Sequence, residues 1–148
     1  MDNDASASSS PPIQPAPIPS QAQPPIASAD DRDARNWAMW CHLSALSGYF
    51  VPGGNILGPL LIWQLKKDQF PILNEHGREA VNFHLSILIY LIGGGIAAFV
   101  GTFFCIGFLL FPALGVIAVA ALIFSIIAGT KANEGIVYQY PMNLRLIK

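Results

Sequence analysis

The sequence predicts an all-α membrane protein with about three transmembrane helices, the first broken at Pro52-Gly53-Gly54, behind a disordered, proline-rich N-terminal tail. Three observations point there. From Ala80 to Thr130 the chain runs 51 residues without one Asp, Glu, Lys or Arg. A spanning helix needs about 20 apolar residues to cross a hydrocarbon core of ~30 Å, so this run holds one span, a tight turn and a second span. A further charge-free run covers the 30 residues from Asn36 to Leu65. Finally, charged residues make up 11% of the 148, against about 25% in a soluble domain, and mean hydropathy is positive. The formal net charge of −1 gives no global pull toward nucleic acid, and no nucleic-acid partner is expected.

Residues 1–35 form the tail. Pro11, Pro12, Pro15, Pro17, Pro19, Pro24 and Pro25 alternate with Ser, Ala and Gln, and only Ile13, Ile18 and Ile26 are large and apolar. Such a segment cannot bury enough surface to offset its ordering entropy, so a solvated, locally polyproline-II chain is expected. The charged patch Asp30-Asp31-Arg32-Asp33-Ala34-Arg35 closes it. The first 30 residues show no basic n-region, apolar h-region or small-residue cleavage context, so no signal peptide is expected.

Residues 36–148 form the helical transmembrane domain. As one straight helix the run from Asn36 to Leu65 would be about 45 Å long, too long for an upright span. It is interrupted by Pro52-Gly53-Gly54-Asn55, the strongest helix-breaking cluster in the apolar part. Either residues 38–65 cross once as a broken, tilted helix, or they enter and return as a re-entrant hairpin. The single crossing is favoured, because neighbouring helices can re-satisfy the backbone groups freed at a break.

Lys66 to Glu79 then collects charge, with Asn74 as a helix cap and Glu75 suited to the positive end of the new helix. The second span is expected over residues 82–104 and the third over 108–129, joined by the uncharged turn Phe104-Cys105-Ile106-Gly107. The tail from Ile136 to Lys148 is too short to span, and its Tyr138, Tyr140, Arg145 and Lys148 suit the membrane–water boundary.

Three spans place the N-terminal tail and the Cys105 turn on one side, with two basic residues, Arg32 and Arg35. The other side holds six: Lys66, Lys67, Arg78, Lys131, Arg145 and Lys148. Excess Lys and Arg marks the cytoplasmic face, so the central loop and C-terminus are expected inside and the N-terminus outside a bacterial inner membrane. A re-entrant first run would leave two full spans and bring the N-terminus inside.

No catalytic, cofactor or metal motif stands out. His42, His76 and His84 lack a ligand spacing, and the single-crossing topology puts His42 at the opposite membrane face from the other two; interfacial hydrogen bonding is the expected role. Gly93-Gly94-Gly95 lies inside a span with no preceding strand, so it is a packing element rather than a phosphate cradle. Cys41 and Cys105 are both expected near the outer face, where a periplasm permits a disulfide, though no motif requires one. Small residues one turn apart, in Gly54-x-x-x-Gly58, Gly94-x-x-x-Ala98, Ala97-x-x-x-Gly101 and Ala121-x-x-x-Ser125-x-x-x-Gly129, let helices approach closely within the chain or between copies.

The candidate functional surface is the expected cytoplasmic rim. Lys66, Lys67, Asp68, Glu75, His76, Arg78, Glu79 and Asn82 precede the second span, and Lys131, Asn133, Glu134 and Arg145 follow the third. It reads both as an ion-pair collar that anchors helix ends and as a docking surface for a protein or for lipid head groups.

From about Ala38 to Ile147 the chain resembles a bacterial family of small membrane proteins known as a domain of unknown function. That family is related by similarity to the channel-like inner-envelope subunit of the chloroplast protein-import translocon. The matching residues are His42-Leu43-Ser44, Pro59-Leu60 with Trp63, Lys66-Lys67-Asp68, His76 with Arg78-Glu79-Ala80, Asn82-Phe83 with Ser86, and Lys131-Ala132-Asn133-Glu134-Gly135 before Tyr140-Pro141. The resemblance implies a compact helical membrane domain and no reaction. The expectation is a non-enzymatic, cofactor-free interaction or assembly module, translocon-like at most. A homo-oligomeric channel or transporter component is the alternative, with membrane lipids, further copies and a protein at the rim as partners.

Overall fold

The computed structural model describes residues 29–148, and the proline-rich segment expected to be disordered lies, up to residue 28, outside them. The described residues contain four α-helices and no strand: α1 (Ala29–Leu43), α2 (Gly54–Lys66), α3 (Leu73–Thr102) and α4 (Gly107–Asn133), with a 3-10 helix, Ser44–Tyr49, between α1 and α2. Helix α1 takes in the charged patch that the sequence assigns to the tail. Asp30 and Asp31 occupy its first turn, where carboxylates suit the positive end of the helix dipole.

Only α3 and α4 are long and apolar enough to cross a membrane. At 1.5 Å per residue they extend about 45 and 40 Å, whereas α1 and α2 reach about 20 Å each. The turn between α3 and α4 falls where the sequence places it, with Cys105 at φ 62. Its tightness depends on Gly107, whose missing side chain leaves room for the Ala98 carbonyl.

The first apolar run does not form one broken crossing helix; it folds back on itself. Lys66 lies over the Trp37 ring, 4.5 Å from its centre, and the Cys41 thiol points at the Pro59 carbonyl, 3.6 Å away. A Cβ on Gly58 would lie 2.5 Å from the Ser44 carbonyl oxygen, and one on Gly48 would lie 2.5 Å from Asn55 Cβ. Residue numbers rise on one arm as they fall on the other, so the arms are antiparallel. The reversal lies at Phe50–Gly53, where Gly53 takes φ 82, a left-handed conformation that glycine adopts without steric cost. The run can fold this way because Gly48 on the 3-10 arm faces Asn55 of α2, while Gly54 and Gly58 of α2 face the 3-10 arm, and the backbones touch.

This hairpin packs against α3 and α4. Gly129 receives Leu43 and the Met39 carbonyl, Gly135 lies against Arg35, and the Tyr49 hydroxyl donates to the Ala118 carbonyl at 2.7 Å. The start of α1, the 66–73 connection and the end of α4 therefore meet at one end, the base. Beyond Ala118 the α3–α4 pair continues alone, and Ile96, Phe99, Phe103, Phe108 and Val116 are exposed. Gly54, Gly58 and the Ala121–Ser125–Gly129 face are taken up by packing inside the chain; Gly93, Gly95 and Gly115 face open space.

Candidate functional site

The base carries every charged side chain among the described residues, and the α3–α4 tip carries none. Its best-ordered part is the seat of the C-terminal segment. Glu79, Asn82, Ser86 and Tyr90 recur at three- and four-residue intervals, which places them on one face of α3. Asn82, 1% exposed, accepts from the Ile147 amide at 2.6 Å and donates to the Ile147 carbonyl at 2.8 Å. Ser86 accepts from the Leu144 amide at 2.9 Å, and Tyr90 donates to the Met142 carbonyl at 3.1 Å. Glu79 takes Asn143 at 2.9 Å and lies 3.7 Å from the Arg145 guanidinium. A non-helical segment beside an apolar helix needs such partners, because its backbone groups have no ladder of their own. The tail is thus seated along α3 as far as Tyr90, and does not merely skim the end of the helices.

Beneath this seat lies a buried polar cluster. His42 Nδ1 meets the Tyr140 hydroxyl at 2.9 Å, and His42 Nε2 meets His76 Nδ1 at 3.1 Å. His42 and His76 are fully buried, and His76 Nε2 has no partner among the described residues. One proton serves the two facing nitrogens, so the pair has two neutral arrangements. Either Tyr140 donates to His42 and His42 to His76, or the order reverses. The Tyr140 ring stacks on Phe83 with centres 4.0 Å apart. His84, further along α3, bonds the Ala80 carbonyl through Nδ1 at 2.9 Å and faces the Ser125 hydroxyl through Nε2 at 3.3 Å.

Of the predicted rim residues, Glu75, Arg78, Glu79, Asn82 and Arg145 line one groove beside the C-terminal segment, and the others lie apart from it. Lys66 sits over Trp37 and donates to Gln69 at 3.0 Å. Glu79, Asn82 and Arg145 hold the C-terminal segment. Lys131 and Glu134 pair with each other at 2.7 Å, both substantially exposed, and Asn133 is exposed at the end of α4. Lys67, Asp68, Glu75 and Arg78 form no ion pair among the described residues. His76 leaves the rim altogether and turns inward. Asn74, expected as a cap, instead accepts from the Trp63 indole at 3.1 Å, and no side chain caps α3.

Two expectations are overturned by the hairpin. His42 is not at the opposite end from His76; the return of the first run brings both to the base. Cys41 and Cys105 are not near one face: Cys41 is buried in the hairpin and Cys105 is exposed at the far tip, each a free thiol. Sequence reasoning missed Tyr140 as the third member of the histidine cluster. The available signal was the alternative hairpin topology, which puts His42, His76 and the C-terminal segment at one level.

The family model for magnetosome magnetite crystal formation proteins matches residues 33–147. This chain belongs to that family. The match begins within α1 and ends in the C-terminal segment, so it takes in most of α1, the other helices and the seated tail as far as Ile147. Membership and the two apolar helices make it a bacterial membrane protein. The match carries no link to a chloroplast import channel. No curated protein and no solved structure matches the chain.

Proposed function

We propose that this family member is a non-enzymatic interaction or assembly module, held in the inner membrane or the magnetosome membrane of a bacterium, with a base that docks a protein partner. The segregation of charge carries the reading: charged side chains collect at the base while the opposite end is an apolar turn. All eight Lys and Arg residues of the chain lie from Arg32 onward, in elements that meet at the base. Excess Lys and Arg faces the cytoplasm, so the base, the start of α1 and the C-terminal segment are cytoplasmic, and the hairpin enters the membrane and returns. The family's part in magnetite crystal formation then runs through what the base assembles, since the short tip Phe103–Ile106 offers no charged group to a mineral surface.

The non-enzymatic reading is supported by how the titratable side chains are used. Glu79 is occupied by Asn143 and Arg145, His84 Nδ1 by the Ala80 carbonyl, and His76 is sealed from solvent. Lys67, Asp68, Glu75 and Arg78 remain available to a partner at the base. Self-association is the second reading, favoured by the open faces at Gly93, Gly95 and Gly115. Crosslinked pull-down of the tagged protein from native membranes separates them. A stoichiometric second protein, lost on charge reversal at Lys66, Lys67 and Arg78, supports docking. Self-association unaffected by those changes shifts the function to a homo-oligomer.

A further inference from the structure

A cavity of about 150 Å³ lies where the tip of the hairpin meets α3 and α4, between Gly48, Tyr49, Asn55, Ile87, Ala118 and Ser125. Ser125 is six residues from Lys131, about 9 Å along α4, and Ala118 is eleven residues from Gly107, about 16 Å from the other end. The cavity therefore sits at mid-depth of the apolar part, away from the charged base. Exposed Tyr49 stands at its edge, toward the surface that lipid tails cover.

Its walls are largely apolar, and of the four polar side chains on them Tyr49 and Ser125 are engaged with the Ala118 and Ala121 carbonyls, which leaves two points to consider. The half-buried Asn55 side chain, on the wall, makes no hydrogen bond with any described residue, and its Cβ is pressed against Gly48, where any side chain would collide with it. An amide held without partners in an apolar setting costs free energy that an occupant would recover. The second point is His84, also on the wall. The Ala80 carbonyl only accepts, so His84 Nδ1 carries the proton and Nε2 presents a lone pair in the neutral ring. Ser125 has a single proton for two acceptors, the Ala121 carbonyl at 2.8 Å and His84 Nε2 at 3.3 Å. With the shorter bond made, His84 Nε2 lacks a donor. The cavity thus offers an unused amide donor and an unused imidazole acceptor in an apolar shell.

A hydroxyl group complements both, accepting from Asn55 and donating to His84. The volume matches that of engineered apolar cavities that take up a benzene ring. We propose that the cavity binds the hydroxyl-bearing ring of a membrane-soluble phenol, the chemistry shared by quinols and related lipophilic phenols, with the apolar tail leaving past Tyr49. This inference rests on the cavity alone and is independent of docking at the base.

The test is equilibrium dialysis of 4-butylphenol against the full-length protein in lipid nanodiscs, with empty nanodiscs to subtract partition. The methyl ether 4-butylanisole, which keeps the shape and loses the donor, needs no protein variant. Saturable binding of one phenol per chain, at least tenfold tighter than the ether and lost in Asn55→Leu, is the expected result. Equal binding of phenol and ether, or no phenol bound above partition, overturns the proposal and leaves the cavity to water or lipid tails. Phenol binding that survives Asn55→Leu unchanged overturns it as well.

Discussion

Replacing Asn82 with Ala removes both hydrogen bonds that hold the Ile147 backbone, at 2.6 and 2.8 Å. A net intramolecular hydrogen bond contributes about 1 kcal/mol, so local opening of the segment end becomes easier by ~2 kcal/mol. That is roughly a 30-fold rise in the open population, at tenfold per 1.4 kcal/mol. The change stays local, because Ser86 still accepts the Leu144 amide and Tyr90 still reaches Met142. Hydrogen exchange of the full-length protein in nanodiscs reads it directly: the Ile147 amide loses about 30-fold in protection while the amides of α4 are unchanged. Asn133→Ala, at an exposed residue without a side-chain bond, serves as the control and leaves Ile147 unaltered. Unchanged Ile147 protection in Asn82→Ala would refute the seating of the tail on α3.

Three further outcomes follow from the packing. Gly58→Val places a branched side chain where a Cβ alone would lie 2.5 Å from the Ser44 carbonyl oxygen, and overpacking of this kind costs ~1–3 kcal/mol. Unfolding in denaturing detergent shows the loss, and Gly93→Val, facing open space, shows little. His42→Phe leaves the buried His76 Nδ1 without a partner and takes from the Tyr140 hydroxyl its 2.9 Å partner, at ~1–3 kcal/mol for a stranded group. Tyr140→Phe strands only one nitrogen and lowers thermal stability less. Cys105 reacts readily with a maleimide in the folded protein, Cys41 only after unfolding, and no oxidant joins them without unfolding, since one is buried and the other exposed at the far tip.

The two long helices were legible from charge and hydropathy alone, because a run from Ala80 to Thr130 without charge admits few other structures. The α3–α4 turn was legible too, from the small, uncharged Cys105-Ile106-Gly107 in the middle of that run. The hairpin was visible only as one of two alternatives. Pro52-Gly53-Gly54 says that the helix breaks, and the direction after the break depends on Gly48, Gly54 and Gly58 meeting the facing arm. That is a tertiary fact to which small-residue spacing gives no address. Part of the candidate rim, Glu75, Arg78, Glu79, Asn82 and Arg145, lines one groove, and the rest of it is dispersed. Helix ends at a common level scattered Lys66, Glu79 and Lys131 around the base, and His76, one position from the exposed Glu75, rotated into the core. Tyr140 escaped notice because an aromatic residue in a short tail with basic residues reads as an interfacial anchor, and nothing local says that it is stacked on Phe83.

The antiparallel hairpin is settled by single cysteines at Asp33 and Lys67 in a Cys41→Ala, Cys105→Ser background. Each is probed with a membrane-impermeant maleimide on sealed spheroplasts and again after permeabilisation. With a first run that enters and returns, both positions are protected in sealed spheroplasts and both label once the membrane is opened. Labelling of Asp33→Cys from outside while Lys67→Cys stays protected would mean that the run crosses the membrane, and the fold described above would be wrong.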